Sequence, residues 1–336
     1  MAASSFTFAD GERLIRFGQG VLGEAPALLA ERGFEGYALV TTARAQASAP
    51  ALVNGAEAVL EVPPGSVPDA AAAVRQGVAG RPLVALGGGR VVDAAKAIAG
   101  ADRLECAAIP TTLAGSPFTP FHRMPAGVEE WRLVRPSLVV SDPALLASIP
   151  GPQLVATAMN ALAHAMESLY TPRANPVAEM AALRAARLLA SELARPEPAH
   201  PELALAALLG GYAVGTSGLA VHHAGCQTIV RTCGTPHAQT NAVMLPHSAR
   251  LVARRAPREL GELARALGAG DADPGAAGDL IAGLSALTGV TRLSELGVTK
   301  AALDEVAGAA AEHPALGNTP GGVRREDVET LLSRAL

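Results

Sequence analysis

The chain has 336 residues, of which 49% are hydrophobic and 17% charged, and its formal net charge is −4. At roughly 150 residues per domain, this length predicts two domains that can each bury a core. The apolar content excludes a disordered chain. The small negative charge gives no reason to expect a nucleic-acid partner, which would need a clustered basic face.

The cysteines and the N-terminus bear on the cellular compartment. Cys106, Cys226 and Cys233 are too few and too scattered to form a disulfide framework. The first ten residues have neither the basic region nor the apolar core of a signal peptide. The alanine-rich runs at 68–80 and 179–195 are broken well before the ~20 residues that span a bilayer. We expect a soluble, cytoplasmic protein without a membrane partner.

Short β-rich runs alternate with helical runs in the first 150 residues. We predict strands at 37–41, 58–62, 82–86, 106–109 and 137–141, and helical stretches at 22–32, 68–78 and 91–99. Strands separated by helices indicate βαβ units and a parallel sheet. Later helices are predicted at 152–170, 176–195, 202–215, 239–256, 258–268, 274–288 and 300–312. The sequence thus predicts an α/β domain at 1–150 and an all-helical domain at 151–336.

A glycine-rich loop joins the predicted strand at 82–86 to the next helix. Gly87, Gly88 and Gly89 carry no side chains, so backbone amides can approach a phosphate there. The helix N-terminus adds partial positive charge. Arg90 follows directly and adds a full charge. The loop lacks the GxGxxG fingerprint, so a tight strand–helix turn without a ligand is the alternative interpretation.

Hydroxyl side chains follow the next predicted strand. Thr111, Thr112 and Ser116 come after the strand at 106–109. Open α/β sheets bind ligands at this edge, although the same residues would also suit a turn that ends the strand. Beside the glycine loop, the ligand-binding interpretation is favoured.

Most of the histidines fall into short segments of the second half. Asn160 and His164 lie one helical turn apart, and Glu167 follows on the same side. The other clustered histidines are His222, His223, His237 and His247. Such clustering indicates a metal site or an acid–base site. Cys226 and Cys233 could add soft zinc ligands, but the spacings match no structural zinc module.

Together these segments resemble the iron-containing alcohol dehydrogenase superfamily, and within it the maleylacetate reductase branch. The resemblance rests on six colinear motifs between residues 80 and 250: GGGRVVDAAKAIA, AIPTTLAGSPFTP, SDPALLASIP, MNALAHAMESLY, HHAGCQ and GTPHAQTNAVMLPH. It implies the dehydroquinate synthase-like fold of that superfamily. An α/β dinucleotide-binding domain would precede a helical catalytic domain, and the protein would form a homodimer.

The resemblance also implies a departure at the metal site. Metal-dependent members hold their ion with an aspartate and three histidines, whose positions here carry Asn160, His164, His223 and His237. An amide oxygen is a neutral and weaker ligand than a carboxylate. Maleylacetate reductases are similar in carrying Asn there and in not depending on a metal. We therefore expect no metal, and histidines that bind substrate or move protons.

A second departure lies four residues after His223. The family has a histidine there, a plausible proton relay, whereas this chain has Gln227. Glutamine can donate a hydrogen bond but cannot titrate. If the reaction needs a proton at this point, His222, His223 or His237 must supply it, and Gln227 would bind substrate with Asn160.

The stretch from Phe118 to Leu133 is also altered relative to the family pattern. It contains His122, Arg123 and Arg132. Arginine is suited to hold a carboxylate with two parallel hydrogen bonds. We predict that His122 and Arg123 contact the substrate, and a solvated loop charge is the alternative for the arginine.

The leading hypothesis is a metal-independent reductase that uses NADH or NADPH on a small unsaturated or oxo acid. The Gly87–Gly89 loop would hold the pyrophosphate with Arg90 and Asp93, and Thr111, Thr112 and Ser116 would line the ribose and nicotinamide. Thr41 ends the first predicted strand, where an acidic residue would favour NAD, so NADPH is allowed. One alternative is a redox-inactive dehydratase, lyase or cyclase on the same scaffold. Another is a metal-dependent alcohol dehydrogenase with Asn160 as a ligand.

Overall fold

The structure is a computed structural model that describes residues 5–336. The chain divides into two compact units, one ending at Ser148 and the other formed by Ile149–Leu336. The first unit is an α/β layer structure and the second consists of helices. This confirms the predicted fold class.

A single mixed sheet organises the first unit. Within residues 5–336 its seven strands are β1 (Phe6–Asp10), β2 (Arg13–Phe17), β3 (Ala38–Thr41), β4 (Ala58–Glu61), β5 (Leu83–Gly87), β6 (Cys106–Pro110) and β7 (Leu138–Ser141). Their order is β1-β2-β7-β6-β5-β3-β4. All neighbouring pairs are parallel except β1 with β2, which form an antiparallel hairpin at one edge.

The central strands are buried on both faces. β3, β5, β6 and β7 are buried at every position, as expected for apolar parallel strands covered by helices. The helices of this unit are α1 (Ala25–Glu31), α2 (Ala43–Ser48), α3 (Pro50–Asn54), α4 (Val67–Val78) and α5 (Gly89–Asp102). Because β5 and β6 are adjacent and parallel, the loops that follow them meet at one edge of the sheet.

The second unit is built around one buried helix. Its helices are α6 (Gly151–Ser168), α7 (Pro176–Leu193), α8 (His200–Ser217), α9 (Val221–Cys233), α10 (His237–Ala253), α11 (Pro257–Ala266), α12 (Pro274–Ala286), α13 (Leu303–Ala311) and α14 (Arg325–Ala335). Helix α6 packs against α7, α8 and α10. A Cβ on Gly210 of α8 would lie 2.9 Å from the Ala161 carbonyl oxygen, so this glycine lets α8 approach the α6 backbone closely.

The structure adds elements that the sequence pattern did not predict. The β1–β2 hairpin turns at Gly11, whose φ of 61° suits glycine. Helices α9 and α14 were not predicted either. Helix α9 begins after Gly218, and Gly225 and two histidines interrupt the run of apolar residues in its sequence. Short 3-10 helices occupy Val21–Glu24, Ser116–Phe118, Pro143–Ser148, Leu293–Leu296, Lys300–Ala302 and Pro314–Asn318.

Between residues 5 and 336, no single helix has the length and apolar composition needed to cross a bilayer, and α8 with α9 meets that test only as a pair bent by 101°.

Candidate active site

The first candidate site lies where β5 ends and α5 begins. Gly88 is the N-cap of α5 and no side chain caps this helix. The Gly88 backbone is extended, with φ −79° and ψ −176°, so its conformation would accept other residues. The space is tight, however, because a Cβ on Gly88 would lie 3.1 Å from Thr112 Cγ2, and one on Gly89 would lie 3.1 Å from Ala114 Cβ. The loop backbone is therefore held close to its neighbour, and the uncapped helix N-terminus is suited to an anion.

The hydroxyls that follow β6 lie beside this loop. The Thr111 N–H donates to the Gly87 carbonyl over 3.0 Å. Thr111 Oγ1 is buried and has no hydrogen-bond partner within residues 5–336. A buried hydroxyl without a partner costs about 1–3 kcal/mol, which a ligand could recover. Arg90, in the first turn of α5, is exposed.

Lys96 fixes the chain that follows Thr111, and the sequence did not reveal this role. Its ammonium is fully buried and donates to the carbonyls of Ser116 (2.9 Å), Thr119 (3.2 Å) and Phe121 (2.7 Å). It also lies 2.9 Å from the Asp93 carboxylate, which accepts the Ser116 hydroxyl. Asp93 and Ser116 thus hold the loop rather than present free polar groups to a cofactor. The lysine also offsets a carboxylate that would repel a phosphate at the α5 N-terminus.

Two residues that were predicted to bind a ligand instead form hydrogen bonds within the protein. Thr41 is fully buried and its hydroxyl donates to the Leu86 carbonyl over 2.9 Å, so it joins β3 to β5 and does not face a ligand. The two ring nitrogens of His122 lie 3.0 Å from the Arg123 carbonyl oxygen and 3.0 Å from the Val134 N–H. Burial lowers the pKa of His122. Its neutral ring therefore stabilises the loop between Phe118 and Leu133 through these contacts, while the Arg123 side chain is exposed.

The second candidate site is a cluster of buried polar side chains on α6 and α9. The rings of His164 and His223 stack with centroids 4.8 Å apart and an interplanar angle of 4°. Glu167 is fully buried at the N-terminus of α9, where its carboxylate accepts the backbone N–H of His223 over 3.2 Å. The other carboxylate oxygen lies 2.6 Å from His223 Nδ1. The helix N-terminus and the imidazole N–H thus both stabilise this carboxylate.

Burial decides the protonation state of the cluster. It lowers the pKa of His223 to about 3, and the charges of His237 and His313 act in the same direction. It lowers the pKa of His164 well below its usual value and raises that of Glu167, which the amides at the α9 N-terminus oppose. At neutral pH His223 is therefore neutral, with its proton on Nδ1 toward Glu167 and a lone pair on Nε2.

Several polar atoms of this cluster lack partners. Asn160 Oδ1, His164 Nδ1 and His223 Nε2 are buried without a hydrogen bond to any atom of residues 5–336. Native proteins leave few buried polar groups unsatisfied, and each has a physical explanation such as a ligand. The unpartnered atoms therefore make this cluster the candidate binding site.

The donor set does not fit a metal ion. Within residues 5–336, no three His, Cys, Asp or Glu side chains converge as a metal site requires. The stacked rings of His164 and His223 direct their in-plane lone pairs in parallel planes, which do not meet at one ion. Glu167 is committed to His223. Burial raises the pKa of Cys226 well above its usual value, so it is a thiol and a poor ligand.

The His222 ring packs edge to face against the His223 ring, with centroids 5.1 Å apart. It is fully buried, and its Nε2 lies 2.9 Å from Asn241 Oδ1 while its Nδ1 lies 3.1 Å from Ser248 Oγ. The Asn241 amide donates to the His237 carbonyl over 2.8 Å and lies 3.3 Å from His237 Nε2. The predicted catalytic role of His222 is therefore replaced by a positioning role. It orients Asn241, which in turn orients the exposed His237 at the start of α10.

Gln227 lies one turn after His223 on α9 and is partly buried. Its Oε1 is 3.3 Å from His313 Nε2. His313 Nδ1 accepts the backbone N–H of Ala315 over 3.2 Å and caps the 3-10 helix Pro314–Asn318. His313 was not among the predicted site residues, because it stands alone in a loop far from the other histidines in sequence.

Matches to family models extend over both units. Residues 154–336 match the C-terminal region of the Fe-containing alcohol dehydrogenase family, and residues 16–122 match an iron-containing alcohol dehydrogenase model. The chain belongs to the Fe-containing alcohol dehydrogenase family. It is an oxidoreductase of the maleylacetate reductase branch, which confirms the resemblance stated from the sequence motifs.

Individual relatives place it in that branch. Maleylacetate reductase 1 of Rhodococcus opacus is 36% identical, over 75% of this chain and 72% of the relative. The maleylacetate reductase of Sphingobium indicum is 35% identical, over 83% and 80% of the two chains. The crystal structure of maleylacetate reductase from Rhizobium sp. strain MTP-10005 superimposes with a TM-score of 0.82 at 29% identity and covers 99% of this chain and 98% of its own.

Proposed function

We propose that this oxidoreductase is a metal-independent, NAD(P)H-dependent reductase of a small unsaturated or oxo acid. The similarity to maleylacetate reductases supports the substrate class. The observation that carries the proposal is the cluster around His223, where Glu167 holds one ring nitrogen and the other is buried without a partner. Such a ring is prepared to exchange a hydrogen bond or a proton with a bound substrate.

Residues of the first unit would hold the dinucleotide. The uncapped N-terminus of α5 with Gly88 and Gly89 suits a pyrophosphate, and the exposed Arg90 adds positive charge. The unpartnered Thr111 hydroxyl would bond to a sugar or nicotinamide group. When bound, the reduced nicotinamide supplies a hydride. Lys96 keeps the adjoining loop in place by its bonds to three carbonyls.

Residues of the second unit would bind the substrate and handle its proton. Neutral His223 offers a hydrogen-bond acceptor at Nε2, and Glu167 stabilises the ring if it takes up positive charge. Because burial keeps His223 and His164 neutral at pH 7, the proton consumed in a reduction comes from a less buried group. His237 is exposed and oriented by Asn241, so we assign the donation to it.

The neutral donor set supports metal independence. Asn160 offers an amide where a carboxylate would bring charge, and the two stacked rings do not converge on one point. No specific observation favours a redox-inactive lyase on this scaffold, since the glycine loop and the Thr111 hydroxyl retain the features that a dinucleotide needs.

The test is cofactor binding and turnover by chelator-treated protein. We expect micromolar NADH or NADPH affinity by nicotinamide fluorescence, and reduction of maleylacetate without added metal. Activity that disappears on chelation and returns with Zn²⁺ or Fe²⁺ would refute metal independence. A protein that binds neither nucleotide would refute the assignment of the glycine loop.

Two substitutions test the assignment within the second unit. We expect His237→Ala to lower kcat about 100-fold or more, as for loss of an acid–base group, and His223→Ala to lower kcat through loss of the hydrogen bond at Nε2, with unchanged NADH affinity in both variants. His200→Ala, at the start of α8, serves as the control. If neither cluster variant loses more than a few-fold in rate, the assignment is wrong.

A further inference from the structure

The substrate class proposed above calls for hydrogen-bond donors in the site. An oxo acid presents carboxylate and carbonyl oxygens, which accept hydrogen bonds. The buried atoms Asn160 Oδ1 and His223 Nε2 are acceptors as well. Two acceptors repel each other unless a donor lies between them, so each substrate oxygen needs a donor, and the Asn160 amide or the His164 ring can serve at most part of them.

Gln227 is placed to be a further donor. It lies four residues after His223, on the same face of α9. Its amide carries an accepting oxygen and a donating NH₂ group, and the oxygen Oε1 lies 3.3 Å from His313 Nε2. We propose that His313 fixes the Gln227 amide so that its NH₂ group donates to a substrate oxygen. This inference rests on the proposed function and makes His313 a positioning residue of the same site.

The direction of the His313 hydrogen bond follows from its other ring nitrogen. Nδ1 accepts the backbone N–H of Ala315 over 3.2 Å, so it carries a lone pair, and the neutral ring keeps its proton on Nε2. An Nε2–H facing an amide requires the amide oxygen, which settles the orientation of Gln227. The NH₂ group is therefore left for another acceptor. A charge on His313 would lower the pKa of His223, so His313 lies within electrostatic range of the cluster.

The Gln227–His313 pair places an oriented amide dipole at the position where the family has a titrating histidine. No proton moves along it, because the Gln227 amide cannot titrate. As a hydride reaches the substrate, negative charge develops on a carbonyl oxygen, and a donor already in place stabilises that charge. The proton that completes the reduction still comes from elsewhere, so Gln227 contributes to transition-state binding and not to acid catalysis.

The experiment combines single and double substitutions. Gln227→Ala removes the donor, and Gln227→Glu replaces it with an acceptor of the same size. His313→Asn keeps a residue that caps a helix well but is too short to reach Gln227. His200→Asn is the matched histidine control in the same unit. Each variant is measured for kcat with maleylacetate and for affinity toward adipate, a dicarboxylate that cannot be reduced.

We expect both Gln227 variants to lose about 100-fold in kcat, in the range for loss of one such donor. His313→Asn should lose about 10-fold in kcat and weaken adipate binding, with melting temperature and NADH affinity unchanged. His313→Asn should cause no further loss of kcat or adipate affinity when residue 227 is already Ala, because the His313 ring acts only through the Gln227 amide. A merely structural role of His313 would not depend on residue 227.

Two outcomes would overturn the inference. One is a His313→Asn protein that turns over and binds adipate like wild type. The other is an equal loss from His313→Asn in the wild-type and Gln227→Ala backgrounds. Adipate affinity separates this result from the proposed function, since a protein that reduces no oxo acid still reports the coupling through binding. If wild type binds no adipate, the pair does not serve a carboxylate ligand.

Discussion

The two candidate sites are built by opposite means. In the first unit the site depends on side chains that are missing, at Gly88 and Gly89, and on the backbone dipoles of α5. In the second unit it depends on side chains that are buried, above all His164, Glu167 and His223. A site made of backbone amides carries the same charge at every pH, whereas one made of buried imidazoles is linked to proton binding.

The comparison also shows where the supporting residues stand. Lys96 supports the first site from within the helix that forms it, three residues after Asp93. The second site draws its support from distant segments, since His222 acts through Asn241, and His313 reaches Gln227 from near the C-terminus. Three predictions test this contrast between a local and an assembled site.

Acidification gives the largest expected effect, and it should act on the second unit. Burial lowers the pKa of His222 and His223 to about 3 and that of His164 well below its usual value. The unfolded chain binds protons on these rings below about pH 6.5, so each ring removes about 1.4 kcal/mol of stability per pH unit as the pH falls. The raised pKa of Glu167 acts in the opposite sense over its own range.

Urea unfolding between pH 7 and pH 5 measures this linkage. His223→Gln should reduce the number of protons taken up on unfolding by about one over the lower part of this range, and so flatten the pH dependence. An unchanged slope in that variant would show that His223 is not held neutral in the folded protein.

Replacement of Lys96 gives the next largest effect and should act on the first unit. Lys96→Met leaves three carbonyls without their donor and the Asp93 carboxylate without its charged partner. We expect a loss of about 2–3 kcal/mol in the free energy of unfolding, since breaking a buried polar network leaves its partners unsatisfied. Lys300→Met is the control, because this second lysine is exposed. Equal melting temperatures for the two variants would contradict the role of Lys96.

A single methyl group in the glycine loop gives the smallest effect. Gly88→Ala places a Cβ 3.1 Å from Thr112 Cγ2 and beside the uncapped α5 N-terminus. We expect about a 10-fold weaker Kd for NADH, about 1.4 kcal/mol, with kcat little changed at saturating cofactor. Gly23→Ala is matched in chemistry but meets no atom within 4 Å. Similar NADH affinities for both variants would remove the loop from the cofactor site.

The elements that sequence reasoning recovered are those with strong local signals. The apolar runs predicted at 82–86 and 106–109 lie within a residue of β5 and β6. Helix α9 was missed because His222, His223 and Gly225 interrupt its apolar periodicity, although tertiary packing stabilises it. The β1–β2 hairpin was missed because one short edge hairpin leaves little pattern.

The sequence by itself determined the α/β and helical halves, the glycine loop and the family, because these depend on residues that are neighbours in the chain. Only the tertiary structure decided that the Thr41 hydroxyl and the His122 ring bond within the fold, that Asn241 contacts His237, and that His313 contacts Gln227. The reason is physical: burial and long-range hydrogen bonds set the protonation state and free lone pairs of a side chain. Those contacts come from helices that no local pattern places together.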